Sequence, residues 1–113
     1  MLIRPKVTWI DFDGTITLNG EWKGVGAYGK LNDIAKEKLT KAKNMGFEIQ
    51  IFTARGWNEK QLIEKYLTNN NIPFDIVICG KPYAIIAIDD KVVDNWYDYD
   101  KKLDKIGELK NEQ

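Results

Sequence analysis

Asp11 and Asp13, two acids at alternate positions, are the residues whose types and spacing most directly suggest chemistry. They follow a short apolar run starting at Val7, typical of a strand buried on both faces in a parallel sheet. Side chains i and i+2 of an extended segment point the same way, so both carboxylates would converge where open α/β sheets bind ligands. A cation such as Mg²⁺ would keep both ionised. A simple turn is the alternative, because Asp13-Gly14 is a common turn dipeptide.

Three further positions carry groups that could act with this pair. Thr53 ends a second apolar run, Lys81 lies between Gly and Pro, and the acidic pair Asp89 and Asp90 ends a fourth run. Each has an ordinary explanation: a strand-end threonine, a solvated turn lysine and a helix-capping pair. Together they supply what phosphoryl transfer through an aspartate requires, namely a carboxylate nucleophile, a second carboxylate, a hydroxyl, a lysine and Mg²⁺ ligands.

The elements that must position these groups alternate between strands and helices. Strands are predicted from Val7 and over residues 47–52, 76–78 and 84–88. One helix is predicted after the cap Asn32 and ends at Gly46, and a second begins with a capping-box pair, Asn58 and Gln61. A third, amphipathic helix follows over about residues 94–112. This order predicts a small three-layer α/β domain with a mostly parallel sheet of about four strands. The connection before the fourth strand is short for a parallel crossover.

A glycine-rich stretch over residues 14–30, here called the flap, separates the first strand from the first helix. It lacks helical periodicity and is long for a connection in so small a domain. Trp22, Val25 and Tyr28 are apolar enough to fold it back over the strand end. A hairpin with purely structural aromatic residues is the alternative.

Composition narrows the function classes. Lys+Arg and Asp+Glu both number 17, so the neutral chain has no general attraction to nucleic acid or anionic membranes. Histidine is absent, which excludes His-based acid–base catalysis and His-ligated zinc. Cys79 is the one cysteine, so no intramolecular disulfide can form. With no apolar run of membrane-spanning length and no signal peptide, we expect a soluble cytoplasmic protein.

The order and types of these residues resemble the haloacid dehalogenase-like superfamily of phosphohydrolases. Residues 11–16, Asp-Phe-Asp-Gly-Thr-Ile, look like its first motif, Thr53 like the second, Lys81 like the third, and the pair Asp89 and Asp90 like the fourth. The closer likeness is to small capless members, including capsular-polysaccharide-type and phage-borne phosphatases. On this basis we expect one domain over residues 1–113, with a motif core over about 7–90 and no cap domain.

The resemblance implies a mechanism. Asp11 would attack phosphorus to give an aspartyl-phosphate, and Asp13 would act as general acid and then base. Thr53 and the neighbouring backbone at Ala54 would hold the phosphoryl oxygens, and Lys81 would offset their charge. The resemblance also implies that Mg²⁺ would be bound by Asp11, by the main-chain carbonyl of Asp13 and by one acid of the pair Asp89 and Asp90. Arg55 is an additional candidate for substrate phosphate, with a surface or structural arginine as its alternative.

A capless site would admit a bulky phosphorylated substrate, such as a sugar, a polysaccharide precursor or a polymer, or would borrow a neighbouring copy as its lid. The first alternative is a non-enzymatic phosphate-binding or regulatory domain. A receiver domain is disfavoured, because its phospho-acceptor Asp would end a middle strand, with Thr and Lys following it. Here the second strand ends in Thr53, and the second acidic pair comes last. A nucleic-acid 3′-phosphatase is a variant of the leading class that the neutral charge weakens.

Overall fold

The computed structural model describes residues 5–84 and 86–111, except the side chains of the last two of these. The chain groups into two compact units, one ending at Tyr83 and one beginning at Ala84. Among the described residues, none of the helices combines the length and the apolar character that a membrane crossing requires.

The first unit is an α/β fold built on a parallel three-stranded sheet. Its strands are β1 (Val7–Ile10), β2 (Glu48–Phe52) and β3 (Ile76–Ile78), in the order β1-β2-β3. Helix α1 (Asp33–Asn44) connects β1 to β2, and α2 (Lys60–Asn69) connects β2 to β3. The predicted α/β class is therefore confirmed, and no separate cap domain interrupts it.

Local sequence accounts for the ends of α1. The Asn32 side chain accepts a hydrogen bond from the Ile34 N–H, 3.2 Å away, as predicted for the cap. Gly46, at φ +90°, follows the last turn as the predicted C′ glycine. Helix α2 begins at Lys60, later than predicted, because a tight 3₁₀ turn over Trp57–Glu59 precedes it.

The core lies between the sheet and one face of each helix. Ile49 and Ile51 of β2 are fully buried while their neighbours Glu48 and Gln50 are not. The helices contribute Ala35, Leu39 and Ala42 from α1 and Ile63 and Leu67 from α2. Burial of each large aliphatic side chain stabilises the fold by about 1.5–3 kcal/mol.

The prediction that β1 is buried on both faces is wrong. Val7 and Trp9 remain 37% and 44% exposed, whereas Ile10 is buried. The strand therefore alternates as one with a single covered face does. The apolar run alone could not reveal this, because Val and Trp suit a half-covered pleated surface equally well.

The second unit contains α3 (Trp96–Asn111), close to its predicted bounds. Asn95 begins it by accepting the Asp98 N–H at 2.8 Å, and Leu103 is buried. The fourth strand predicted over 84–88 does not form among the described residues of that segment, and Ile85 lies outside them. Ile86 and Ile88 are 86% and 102% exposed. A β-branched run favours a strand only where a partner strand and a packed face are present.

Candidate active site

Asp11 directly follows β1 with extended backbone angles, φ −66° and ψ 151°, and is the first acid of the site. Pairing of Ile10 with Ile51 places Asp11 level with Phe52, one residue before Thr53 on the neighbouring strand. The pKa of the Asp11 carboxyl is raised, chiefly by burial. The positive charge of Lys81 and a hydrogen bond from the Phe12 N–H oppose this rise, and the negative charge of Asp13 adds to it. A carboxylate at the carboxyl end of a parallel strand is well placed to meet a ligand.

Lys81 reaches Asp11 from the turn after β3. Its ammonium nitrogen Nζ lies 3.8 Å from Asp11 Oδ1 and 5.5 and 5.6 Å from the ring centroids of Trp9 and Phe52. The Lys81 N–H donates to the Thr53 carbonyl at 2.9 Å, and Gly80 takes the left-handed φ of +77° that the turn requires. The structure thus brings the predicted Asp11, Thr53 and Lys81 to the same end of the sheet.

Thr53 directly follows β2 and is fully enclosed, with only 1% of the residue exposed. Its N–H donates to the Ile78 carbonyl, and its hydroxyl oxygen accepts the Arg55 N–H at 3.2 Å. This hydroxyl turn fixes the backbone over Ala54, where the sequence predicts phosphoryl-oxygen binding. The role of Thr53 and Ala54 toward substrate stays a prediction.

Arg55 makes the densest set of contacts among the described residues of the site. Nε and Nη2 donate to the two carboxylate oxygens of Asp13 at 2.8 and 2.9 Å. Nη1 donates to Glu59 Oε1 and the Gly24 carbonyl at 2.8 and 3.0 Å, and Nη2 also donates to the Ala27 carbonyl at 3.1 Å. A guanidinium has five N–H donors, and here all five have acceptors inside the chain.

This environment holds Arg55 as an internal cation. Its side chain is 2% exposed, and its guanidinium lies 4.6 Å from the Tyr28 ring centroid. The pKa of Arg55 is raised, chiefly by its hydrogen bonds to Asp13. Burial lowers it by less, and the hydrogen bond to Glu59 raises it as well. The predicted contact between Arg55 and substrate stays a prediction, but no N–H donor is left over for it in this arrangement.

Glu59 is a site residue that the sequence reasoning missed. It is 2% exposed, and its Oε1 accepts hydrogen bonds from Arg55, from the Gly26 N–H at 3.0 Å and from the Tyr28 hydroxyl at 3.3 Å. Burial and the neighbouring Glu59 charge raise the pKa of Tyr28 to about 12. The available signal was the opposite charge of Arg55 and Glu59 at spacing i, i+4.

The flap folds back toward the turn after β1, chiefly through Tyr28. The rings of Phe12, Tyr28 and Tyr66 pack edge to face at centroid distances of 5.1 to 5.5 Å. The Tyr66 hydroxyl also donates to the Gly29 carbonyl at 3.1 Å. Trp22 and Val25, predicted to help, are instead 65% and 56% exposed.

Asp89 and Asp90 belong to the second unit, where both are exposed. Asp89 Oδ1 accepts the Lys91 N–H at 2.8 Å, and Asp90 lies 3.3 Å from the Lys91 ammonium. Within the part of the chain that the structure describes, no three Asp, Glu or Cys side chains group closely enough to hold a metal ion. A metal role for Asp89 or Asp90 stays a prediction.

Comparison with known proteins adds a likeness of fold. No protein-family model and no curated protein matches this chain. A crystal structure of a structural genomics target from Vibrio cholerae superimposes with a TM-score of 0.70 at 22% sequence identity. The match covers 93% of this chain and 98% of that one. At this identity the likeness concerns the α/β fold and carries nothing about activity.

Proposed function

We propose that this protein is a Mg²⁺-dependent phosphomonoester hydrolase that works through an aspartyl-phosphate on Asp11. The observation that carries the proposal is the 3.8 Å approach of the Lys81 ammonium to the Asp11 carboxylate at the carboxyl end of the sheet. Thr53 directly follows the adjoining strand, and Asp13 lies two residues beyond Asp11. These groups are the nucleophile, cation, hydroxyl and second carboxylate that the chemistry needs.

Each residue has one task in the proposed reaction. An Asp11 oxygen attacks phosphorus as the bond to the leaving oxygen breaks, and Asp13 gives that oxygen its proton. Asp13 then takes a proton from water as water attacks phosphorus and releases Asp11 and orthophosphate. Lys81 offsets the negative charge that Asp11 and the phosphoryl group share, and Thr53 orients the phosphoryl oxygens.

The donor atoms of the first unit suit Mg²⁺ as a partial ligand set. The carboxylate of Asp11 and the main-chain carbonyl of Asp13 are hard oxygen donors, and Mg²⁺ usually completes its shell with water and phosphate oxygens. When bound, the ion would neutralise charge on the transferring phosphoryl group. The Asp13 side chain is taken up by Arg55, so only its carbonyl would serve the ion.

A bulky phosphorylated substrate suits this site best. No cap domain covers the carboxyl end of the sheet in the first unit, and Trp9 beside Lys81 keeps 44% of its surface exposed. An exposed ring of this kind can pack on a sugar or another apolar group next to the phosphate. We therefore favour a sugar phosphate, a polysaccharide precursor or a polymer over a nucleic acid 3′-phosphate.

The deciding experiment is hydrolysis of an aryl phosphate by the purified protein, with Mg²⁺ and with EDTA. We expect Mg²⁺-dependent turnover that falls at least about 10³-fold in Asp11→Asn, because this substitution removes the nucleophile. Asp33→Asn, at an exposed acid in the first turn of α1, is the matched control and should keep full activity. Turnover that survives in Asp11→Asn would contradict the mechanism.

The observation that favours a catalytically silent phosphate-binding domain is the double engagement of Asp13 by Arg55. A general acid must offer an oxygen to the leaving group, and both Asp13 oxygens already accept from the guanidinium. The Asp13 side chain is nonetheless 20% exposed, so part of the carboxylate remains reachable. Orthophosphate binding in calorimetry without hydrolysis of any phosphomonoester tested would support the silent domain.

A further inference from the structure

The contacts of Arg55 join its own segment, which includes Glu59, to two parts of the first unit that lie at least 28 residues away in sequence. Two donors go to Asp13 in the turn after β1, two go to the carbonyls of Gly24 and Ala27 in the flap, and one goes to Glu59. We propose that Arg55 is a positioning residue that fixes the flap and the Asp13 carboxylate together. Flap closure and the orientation of Asp13 are then one event. The catalytic half of this inference, that Arg55 orients Asp13 for the reaction, rests on the proposed hydrolase. The flap half, that Arg55 holds the flap in place, does not.

Glu59 is the anchor of the arrangement. A single oxygen, Oε1, accepts from Arg55 Nη1, from the Gly26 N–H and from the Tyr28 hydroxyl. Two flap carbonyls therefore accept hydrogen bonds from the Arg55 cation, and one flap N–H donates to the Glu59 carboxylate. Both ions are almost fully buried, with side chains 2% and 3% exposed, so neither can exchange its partner for water without the flap moving.

The arrangement separates positioning from substrate binding. To reach a substrate phosphate, Arg55 would have to give up bonds to Asp13 or to the flap, which leaves part-buried acceptors without their donor. As a positioning residue it needs no such movement, because the fork geometry meets both Asp13 oxygens at once. Lysine cannot reproduce that fork, whereas lysine serves well as a point charge beside a phosphate.

The flap half is tested by NMR-detected hydrogen exchange on the full chain without substrate. In Arg55→Met and Arg55→Lys we expect exchange of the Gly26 and Ala27 amides to rise at least about tenfold, since each lost buried hydrogen bond weakens closure. The Thr53 amide, which donates to Ile78 within the sheet, reports whether the fold is retained. Lys65→Met, at an exposed cation of α2, is the matched control and should leave flap exchange unchanged.

If Arg55→Met fails to fold, Glu59→Gln carries the same test with the side-chain volume kept. It retains an oxygen acceptor but removes the charge, so the Gly26 amide should again exchange faster than in the wild type. Flap exchange equal to that of Lys65→Met in every folded variant would overturn the proposal.

Steady-state kinetics tests the catalytic half. We expect both Arg55 variants to lower kcat about 10²-fold or more, as loss of an oriented acid–base group does, with KM changed little. A raised KM with unchanged kcat, restored by Arg55→Lys, would instead assign Arg55 to substrate binding and overturn the positioning role. If the wild type hydrolyses nothing, the proposed function fails, while hydrogen exchange still decides whether Arg55 holds the flap.

Discussion

Two ion-paired regions lie at the same end of the sheet and differ in almost every physical respect. In the Arg55 region, charged side chains 2% and 3% exposed meet at 2.8 Å, and every guanidinium donor has an acceptor. In the Asp11 region, Lys81 and Asp11 are 30% and 43% exposed and remain 3.8 Å apart. The first region resembles a buried network, and the second resembles a site that a ligand can enter.

Under the proposed function, this difference separates charges that hold the fold from charges that act on a substrate. Buried ions with complete hydrogen bonding are fixed, and removing one partner leaves the other unpaired in a low dielectric. A loose, half-exposed pair contributes little to stability, because water screens it. Its oxygens and ammonium are correspondingly available to a phosphate and a metal ion. We therefore expect substitutions in the first region to lower both stability and activity, and those in the second to lower activity with little change in stability.

The largest effect on stability should come from Arg55→Met. It strands the buried Glu59 carboxylate and two flap carbonyls, so we expect the free energy of unfolding to fall by about 3–5 kcal/mol in urea denaturation. The double substitution Arg55→Met with Glu59→Leu should recover part of that loss, because the fully buried Glu59 charge is then no longer left unpaired. A loss below about 1 kcal/mol would show that the network contributes no more than an exposed ion pair.

The sequence identified the open region better than the buried one. Asp11, Thr53 and Lys81 could be predicted to meet, because parallel strands bring their carboxyl ends to one edge regardless of side-chain detail. The Arg55–Glu59 network could be predicted only as far as its i, i+4 ion pair, since the flap carbonyls and N–H group that it also binds leave no residue pattern. The flap itself could be predicted from its length and composition, but not that Tyr28 rather than Trp22 would pack.

The error over residues 84–88 has a related cause. Periodicity and β-branched content describe the segment itself, whereas a strand exists through hydrogen bonds to a neighbour. The same limit explains why β1 was expected to be covered on both faces, although Trp9 remains 44% exposed. Local patterns predicted the cap of α1 and most of its apolar face, because these are encoded within the element. The capping-box start predicted for α2 was wrong, since a 3₁₀ turn without a side-chain cap precedes that helix.

Lys81→Met tests the half-exposed Asp11 region. Loss of the ammonium that faces Asp11 removes charge stabilisation of the transferring phosphoryl group, so we expect kcat/KM to fall about 10²-fold or more. The free energy of unfolding should change by less than about 1 kcal/mol, since the pair is exposed and long. Phosphatase assays and urea denaturation on the same preparation check both statements. A large loss of stability with activity retained would reverse the assignment of the two regions.

An ion pair at the opposite end of the sheet should have a modest effect, and on stability alone. Asp75 is about as exposed as Asp11, with Lys43 and Asp75 side chains 45% and 32% exposed, yet these two approach to 2.6 Å. Asp75 also accepts the Ile49 N–H at 2.7 Å, which secures the start of β3 against β2. Hydrogen bonds from Lys43 and Ile49 lower the pKa of Asp75. The shorter distance, and a pKa that is lowered where that of Asp11 is raised, therefore distinguish this pair from the Asp11 pair.

Asp75→Asn keeps an acceptor for Ile49 and removes the charge, so we expect a loss of about 1 kcal/mol at neutral pH. Because the folded-state pKa lies below the unfolded value, the stabilisation is fully present above the ordinary aspartate pKa of about 3.9. It is lost as the pH falls through the lower folded value, so the wild-type and variant stability curves should converge in acid. Glu37→Gln, at an exposed acid of α1, is the control. Its free energy of unfolding, measured by urea denaturation from about pH 3 to 7, should differ less from that of the wild type. A difference for Asp75→Asn that persists below the folded pKa would mean that packing, and not charge, secures β3.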